Sequence, residues 1–184
     1  IYLIEDCAHS FESKFNGDGP GQYSDLAIFS FYATKNITCG EGGAIITQDN
    51  EIYERVVQAV HHGMSAAAAD RFKTGKYSHW GMDYLGTKAN LSDLLAALLP
   101  HQIETIDKNL PIREEKANFY EQNLKNSKFT IPKVLGSSIH ARHLFPIGVG
   151  LKNRDEILNL LAQHNIGVTV NYRAVPTMNY YKKK

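Results

Sequence analysis

The chain has 184 residues, with 20 Lys and Arg against 19 Asp and Glu, a formal net charge of +1 at pH 7, and 43% hydrophobic residues. This apolar content is enough to build a core, which excludes global disorder. No apolar run approaches the ~18–20 residues of a membrane-spanning helix, and the balanced charge offers no basic stripe for nucleic acid or an anionic membrane.

The first third of the chain predicts strands followed by a helix. Apolar runs at 1–4, 26–32 and 44–47 predict three strands. Asp49 is a suitable N-cap for a helix whose apolar residues follow at helical spacing from Ile52 to Val60. This alternation favours a layered α/β domain. Because the chain opens within an apolar, strand-like run, we expect it to be part of a longer polypeptide.

The remainder predicts a long loop at 63–89 and then a helical region. An apolar stripe starting after Asn90 to Ser92 predicts a helix that Pro100 should kink or divide. A domain boundary is predicted near residue 110. The elements expected after it are a helix at 112–124, strands at 129–131 and 143–149, a helix at 154–164 and a strand at 166–172.

Polar residues follow the first two strands, and two of them suggest cofactor chemistry. Lys35 lies just beyond an apolar strand, where partial desolvation would release a nucleophilic amine for Schiff-base formation. Asp6 ends the preceding strand, and a carboxylate there could pair with the ring nitrogen of pyridoxal phosphate. His9 and Ser30 complete this group of candidates, but each residue taken singly also has a purely structural explanation. Lys35 could be a solvated surface residue and Asp6 a helix or turn cap. His9 could be a hydrogen-bonded core histidine, and the Ser30 hydroxyl could be bonded to the backbone.

The cysteines and histidines give no sign of a metal site. Cys7 and Cys39 lie in or beside apolar runs without ligand spacing, so we expect free thiols in a reducing cytoplasm. Four histidines lack a cysteine or carboxylate companion at zinc spacing, namely His61, His62, His140 and His143.

Several segments in the same order carry a family resemblance. They include IEDCAHS from residue 4, SDLAIFSF from 24, TKNIT from 34, GEGGA from 40, GTKANLSD from 86 and HARHLF from 140. On these motifs the chain resembles the DegT/DnrJ/EryC1/StrS sugar aminotransferases. Within this family, its sequence is most similar to the UDP-4-amino-4-deoxy-L-arabinose aminotransferase type, which shares the Lys-Asn-Ile-Thr-Cys run.

The resemblance implies a fold and a domain organisation. The fold is α/β, of the aspartate-aminotransferase type (PLP fold type I), and incomplete at the N-terminus. Residues 1–110 would be the C-terminal portion of the large domain that binds pyridoxal phosphate, and residues 111–184 part of a small α+β C-terminal domain.

The resemblance also implies roles for individual residues. Lys35 would form the Schiff base with pyridoxal phosphate and move the substrate proton, and Asp6 would pair with the pyridine nitrogen. His9 would lie against the cofactor ring or its phenolic oxygen, and Ser30 would bind the phosphate. Asn90 would reach the phosphate in the other subunit of a homodimer with shared active sites.

The implied activity is ping-pong transamination of a nucleotide-linked keto-sugar, with L-glutamate as donor and pyridoxamine phosphate as the intermediate form of the cofactor. The pathway would make envelope polysaccharide, lipopolysaccharide or amino sugars. One alternative is a sugar dehydratase that uses pyridoxamine phosphate on the same fold. Such enzymes replace the lysine with histidine, whereas this chain has Lys35. The other alternative is a noncatalytic or truncated cofactor-binding fragment.

Overall fold

A computed structural model describes residues 1–65, 75, 77, 79–150 and 153–183. Its elements, in chain order, are β1 (Ile4–Asp6), β2 (Lys14–Phe15), β3 (Leu26–Ser30), β4 (Gly43–Ile46), α1 (Asn50–Ala59), α2 (Asp93–Ala96), α3 (Pro100–Leu124), β5 (Ser138–Ile139), α4 (Arg154–Gln163), a short 3-10 turn (Val175–Thr177) and α5 (Asn179–Lys182).

A three-stranded mixed sheet of order β1-β3-β4 organises the first part of the chain. β1 is parallel to β3, with Asp6 opposite Ile28, and β4 is antiparallel to β3. Ala27 and Phe29 of β3 are buried, whereas Ile28 between them is exposed, as expected for a strand with one face on the core. The three strands are those predicted from the apolar runs, except that β1 starts at Ile4 and includes the acidic residues after it.

A second, two-stranded sheet was not predicted. β2 pairs antiparallel with β5, so that Lys14 lies opposite Ile139. Neither strand exceeds two residues. A strand this short has too few side chains to show the period-two alternation from which strands are predicted.

Side chains cap α1 and α2, and the cap of α1 was predicted. The Asp49 carboxylate accepts hydrogen bonds from the backbone N–H groups of Glu51 and Ile52 at the start of α1. The Ser92 hydroxyl caps α2 in the same way. Pro100 divides the predicted helix in two, because proline has no N–H to donate and is favoured at a first helical position, where α3 now begins.

The core joins the sheet to α3 and to the loop that carries Lys35. Leu99 and Ile106 of this helical region pack with residues of β3 and of the following loop, which are Phe29, Phe31, Ile37 and Cys39, and with Cys7 after β1. Cys7 and Cys39 are free, as predicted. Burial raises the pKa of the Cys7 thiol, which disfavours the thiolate.

The chain divides into two compact units, unit 1 (1–122 and 133–145) and unit 2 (123–132 and 146–184). α3 continues unbroken across residue 110, the position of the predicted boundary, and Pro111 lies inside it. The predicted helix at 112–124 is therefore the second half of α3. The residues at 112–124 are helical, as predicted, but they do not form a separate helix.

The strands predicted near the end of the chain are wrong for the described residues. Thr130 and Gly148 form an isolated antiparallel bridge, and 166–172 forms no strand. Apolar, β-branched residues favour a strand only when a neighbouring strand completes the ladder. The helix predicted at 154–164 is present as α4. Among the described residues, no helix is long and apolar enough to span a membrane.

Candidate functional site

The candidate site lies where two parallel strands end. Asp6 is the last residue of β1 and Ser30 the last residue of β3, and the two strands are hydrogen-bonded neighbours. The carboxyl ends of parallel strands commonly form the ligand-binding edge of an α/β sheet. The sequence thus brings both polar residues to one edge.

The loop after β3 places Lys35 near Ser30, because both residues line the same cavity. Ile37, only 1% exposed, anchors the loop in the core. The Lys35 backbone N–H donates to the Tyr32 carbonyl at 2.9 Å, and the Cys39 N–H donates to the Phe31 carbonyl at 3.1 Å. Lys35 is half-buried as a result. The local chain path therefore partly buries Lys35.

Gln102 of α3 fixes the far end of this loop. Its amide nitrogen donates to the Thr38 carbonyl at 2.7 Å, and its amide oxygen accepts from the Thr38 N–H at 3.0 Å. This pairing satisfies both backbone groups of one loop residue, as a strand partner would. The loop is thereby attached to α3 three residues after Lys35.

Lys35, His9 and Ser30 line one small cavity of about 10 Å³. A space of this size holds at most one water molecule, so a ring cannot enter it. His9 itself is exposed. A planar ligand would therefore have to lie on the open side of these residues.

Asp6 borders a wider groove of about 450 Å³ beside this cavity, and Cys7 lines both. One Asp6 carboxylate oxygen accepts a hydrogen bond from the Ala8 N–H at 3.1 Å. Asp6 therefore has the capping role that the sequence offered as an alternative to cofactor binding. The two roles are compatible, because a carboxylate has two oxygens that can accept hydrogen bonds.

The electrostatics of His9 reflect the surrounding charges. Desolvation lowers its pKa below 6.5, the nearby positive charge of Lys35 lowers it further, and the Asp6 carboxylate opposes both. His9 thus lies within electrostatic range of both residues. Its neutral form is favoured at pH 7.

Ser30 and Asn90 differ in their relation to Lys35. The Ser30 hydroxyl accepts a hydrogen bond from the Tyr32 N–H at 3.4 Å, which is the backbone contact expected of a purely structural serine. Ser30 nevertheless lines the cavity together with Lys35. Asn90 is exposed in the segment before α2 and does not line the cavity. A role for Asn90 at a second subunit stays a prediction.

Four residues close to Lys35 were not predicted as a site. Asn36, Glu12 and Arg113 form a hydrogen-bonded group, and His143, considered only as a metal ligand, joins it through Asn36. Glu12 and Arg113 are 101 residues apart, so no local motif could reveal their contact. Within the described parts of the chain, no cluster of three or more His, Cys, Asp or Glu side chains suggests a metal site.

The donor set of this edge fits pyridoxal phosphate. Lys35 could supply a primary amine for its aldehyde, and Asp6 could supply a carboxylate for a protonated ring nitrogen. His9 could offer an imidazole for the ring face or its phenolic oxygen, and Ser30 a hydroxyl for the phosphate. The chemical types needed for each group of the cofactor are therefore present at one sheet edge.

Known proteins are similar to this chain along its whole length. The spore coat polysaccharide biosynthesis protein SpsC of Bacillus subtilis is 33% identical, with 100% of this chain and 49% of the relative covered. A UDP-4-amino-4,6-dideoxy-N-acetyl-beta-L-altrosamine transaminase of Campylobacter jejuni is also 33% identical, with 100% and 48% covered. The chain spans about half the length of these curated relatives.

Solved structures have the same fold. Spr1654 of Streptococcus pneumoniae, named provisionally as a sugar aminotransferase, has been solved in PLP and PMP forms. Its PMP form matches with a TM-score of 0.85 and 26% identity, covering 100% of this chain and 48% of that one. The predicted α/β fold class is thus confirmed. Residues 1–184 match the model of the DegT/DnrJ/EryC1/StrS aminotransferase family, to which this chain belongs.

Proposed function

We propose that the protein of which this chain is a part transfers an amino group from L-glutamate to a nucleotide-linked keto-sugar, using pyridoxal phosphate. The observation that carries the proposal is the grouping of Lys35, His9 and Ser30 around one cavity at the sheet edge, next to Asp6. The transaminase among the relatives and the PLP and PMP forms of Spr1654 support the substrate class and the cofactor.

Lys35 is the proposed catalytic residue. Its Nζ would hold the cofactor covalently and, once displaced by the amino donor, would accept and return the proton of the substrate carbon. Pyridoxal phosphate, when bound, supplies an electron sink for the charge left at that carbon.

The remaining residues would bind and orient. Asp6 would balance a positive charge on the ring nitrogen through its free carboxylate oxygen. His9, whose pKa is lowered, would lie against the ring as a neutral imidazole. Ser30 would donate its hydroxyl proton to a phosphate oxygen, because the hydroxyl oxygen already accepts the Tyr32 N–H.

Two further parts of the proposal concern assembly and location. Asn90 is exposed, and in a homodimer it would reach the partner's cofactor, completing a shared site. Buried free thiols at Cys7 and Cys39 support a cytoplasmic location, since reducing conditions keep cysteines unpaired.

The presence of Lys35 favours transamination over the related dehydration chemistry, in which histidine replaces this lysine.

The test uses the protein at its full natural length with added pyridoxal phosphate. We expect a visible absorption band that glutamate bleaches and that Lys35→Ala abolishes. Lys108→Ala, which changes an exposed lysine of α3, is the matched control and should leave the band intact. Glutamate-dependent amination would then be assayed with UDP-, GDP- and dTDP-linked 4-keto and 3-keto sugars. A band and an amination rate unchanged by Lys35→Ala would refute the proposal.

A further inference from the structure

A partly buried polar cluster lies next to Lys35 and consists of Glu12, Asn36, Arg113 and His143. The Glu12 side chain is fully buried and pairs with the Arg113 guanidinium. Arg113 also donates through Nε to the Ala141 carbonyl at 3.0 Å. A carboxylate without solvent contact is retained only when charge and hydrogen bonds compensate its desolvation. The ion pair therefore makes Glu12 a fixed acceptor for the rest of the cluster.

The contacts of Asn36 determine the orientation of its amide. Its Nδ2 lies 3.1 and 3.0 Å from the two carboxylate oxygens of Glu12 and 3.3 Å from the Ala141 carbonyl oxygen. All three neighbours are acceptors. The reversed amide would bring its oxygen against three other oxygens, so nitrogen must be on this side and Oδ1 on the other.

This orientation in turn determines the protonation of His143. Its Nδ1 lies 2.9 Å from Oδ1 of Asn36. An amide oxygen can only accept, so Nδ1 must carry the proton in this contact. In the neutral ring, Nε2 is then unprotonated. Burial is the largest cause that lowers the pKa of His143, and the positive charges near it, on His9 when protonated, Lys35 and Arg113, lower it further.

The His143 ring packs against His9. The ring centroids are 4.3 Å apart, and the planes are tilted by 34°. Both rings line the cavity that contains Lys35. His9 is exposed, whereas His143 is half-buried and hydrogen-bonded to Asn36, so His143 is the ring that can restrain the other.

We propose that Asn36, held by Glu12 and Arg113, fixes His143 as the Nδ1–H imidazole, and that His143 is a positioning residue for the His9 ring beside Lys35. The functional half of this inference rests on the proposed function, because the orientation of His9 matters for catalysis only if a cofactor ring binds against it. The tautomer of His143 follows from the hydrogen bonds alone.

The first test measures the tautomer by ¹⁵N NMR of the histidine rings in the full-length holoprotein. We expect Nδ1–H for His143, and a loss of this single form in Asn36→Ala, which removes the acceptor. Asn109→Ala, on an exposed stretch of α3, is the matched control. An Nε2–H signal for His143 in the unaltered protein, or no change in a folded Asn36→Ala variant, would overturn the proposal. If that variant does not fold, the unaltered protein still decides it.

The second test asks whether His143 acts through His9. His143→Ala removes the packed ring, so the His9 titration should move to higher pH as desolvation is relieved, and the glutamate half-reaction should slow on the order of tenfold. His143→Phe keeps a ring and should recover most of the rate. A slower reaction without a shift in the His9 titration, or no change in either, would overturn positioning through His9. The proposed function is tested separately, by loss of the cofactor band in Lys35→Ala. Its failure can therefore be told apart from failure of the positioning role of His143.

Discussion

The two compact units differ in what they bury. Unit 1 holds the apolar core, with Ala27 fully buried and Ile37 1% exposed, together with a buried charge at Glu12. Within the described part of unit 2, no residue is buried, and Ile166 and Val168 are half exposed. Because electrostatic interactions strengthen as water is excluded, the same pair of residue types should contribute very differently in the two units.

Two ion pairs illustrate this difference. In unit 1, the Arg113 and Glu12 side chains are 23% and 0% exposed. In unit 2, the Arg154 and Asp155 side chains are 42% and 79% exposed, although their contact measures 3.0 Å. Contact distance alone therefore says little about how much a pair stabilises a fold. Burial decides what happens when one partner is removed.

The largest expected effect comes from breaking the buried pair. Glu12→Ala removes the carboxylate that accepts from both the Arg113 guanidinium and the Asn36 amide, and leaves them only the Ala141 carbonyl. We expect the free energy of unfolding to fall by about 3 kcal/mol. Urea unfolding followed by far-ultraviolet circular dichroism measures this change.

The matched control for that prediction is Asp155→Ala in unit 2, which removes an exposed partner and should change stability by less than about 0.5 kcal/mol. Similar losses for the two variants would contradict the contrast between buried and exposed pairs.

An intermediate effect is expected from the backbone of unit 1. Gly63 has φ of +77°, and a Cβ there would lie 1.9 Å from the Tyr84 carbonyl oxygen. Gly63→Ala must therefore displace the backbone, and we expect a loss of roughly 1–3 kcal/mol. The thermal unfolding midpoint would report it. Gly167→Ala in unit 2, where the added Cβ meets nothing within 4 Å, is the control. Equal midpoints for both variants would argue against the close approach at Gly63.

The smallest expected effect is a pH dependence located in unit 1. The pKa values of His9, His140 and His143 are lowered from 6.5, in each case first by desolvation. In the unfolded chain these rings protonate near pH 6.5, whereas in the folded chain they resist protonation until lower pH. The unfolded state thus binds more protons below pH 6.5. Stability should be full above that pH and decline as the pH falls through the folded values.

The charges around these rings modify the effect of desolvation on their pKa values. Arg142 lowers the pKa of His140, and Glu114 and Glu121 oppose it. For His9, the effect of Lys35 is larger than the opposing effect of Asp6. For His143, the charges of His9, Lys35 and Arg113 all lower the pKa. Thermal unfolding midpoints measured between pH 8 and pH 5 should be flat above 6.5 and fall below it. A midpoint that rises on acidification would contradict the assignment of neutral, desolvated rings.

Much of the fold was predictable because its signals are local. The Asp49 cap, the apolar run of β3 and the helix start at Pro100 each depend on residues within one or two turns of chain. Asp6 and Lys35 were identifiable for the same reason, since each directly follows an apolar strand. The two-residue strands and the missing ladders after residue 124 were not predictable, because pairing requires a partner distant in sequence.

The sequence by itself determined the family, the Asp49 helix cap and the polar residues that end the strands. Only the tertiary structure decided that Glu12 would meet Arg113, 101 residues away, and that Asn36 would meet His143, 107 residues away. The physical reason is that a hydrogen bond depends on atoms within about 3 Å, and such proximity across a hundred residues depends on the whole path of the chain.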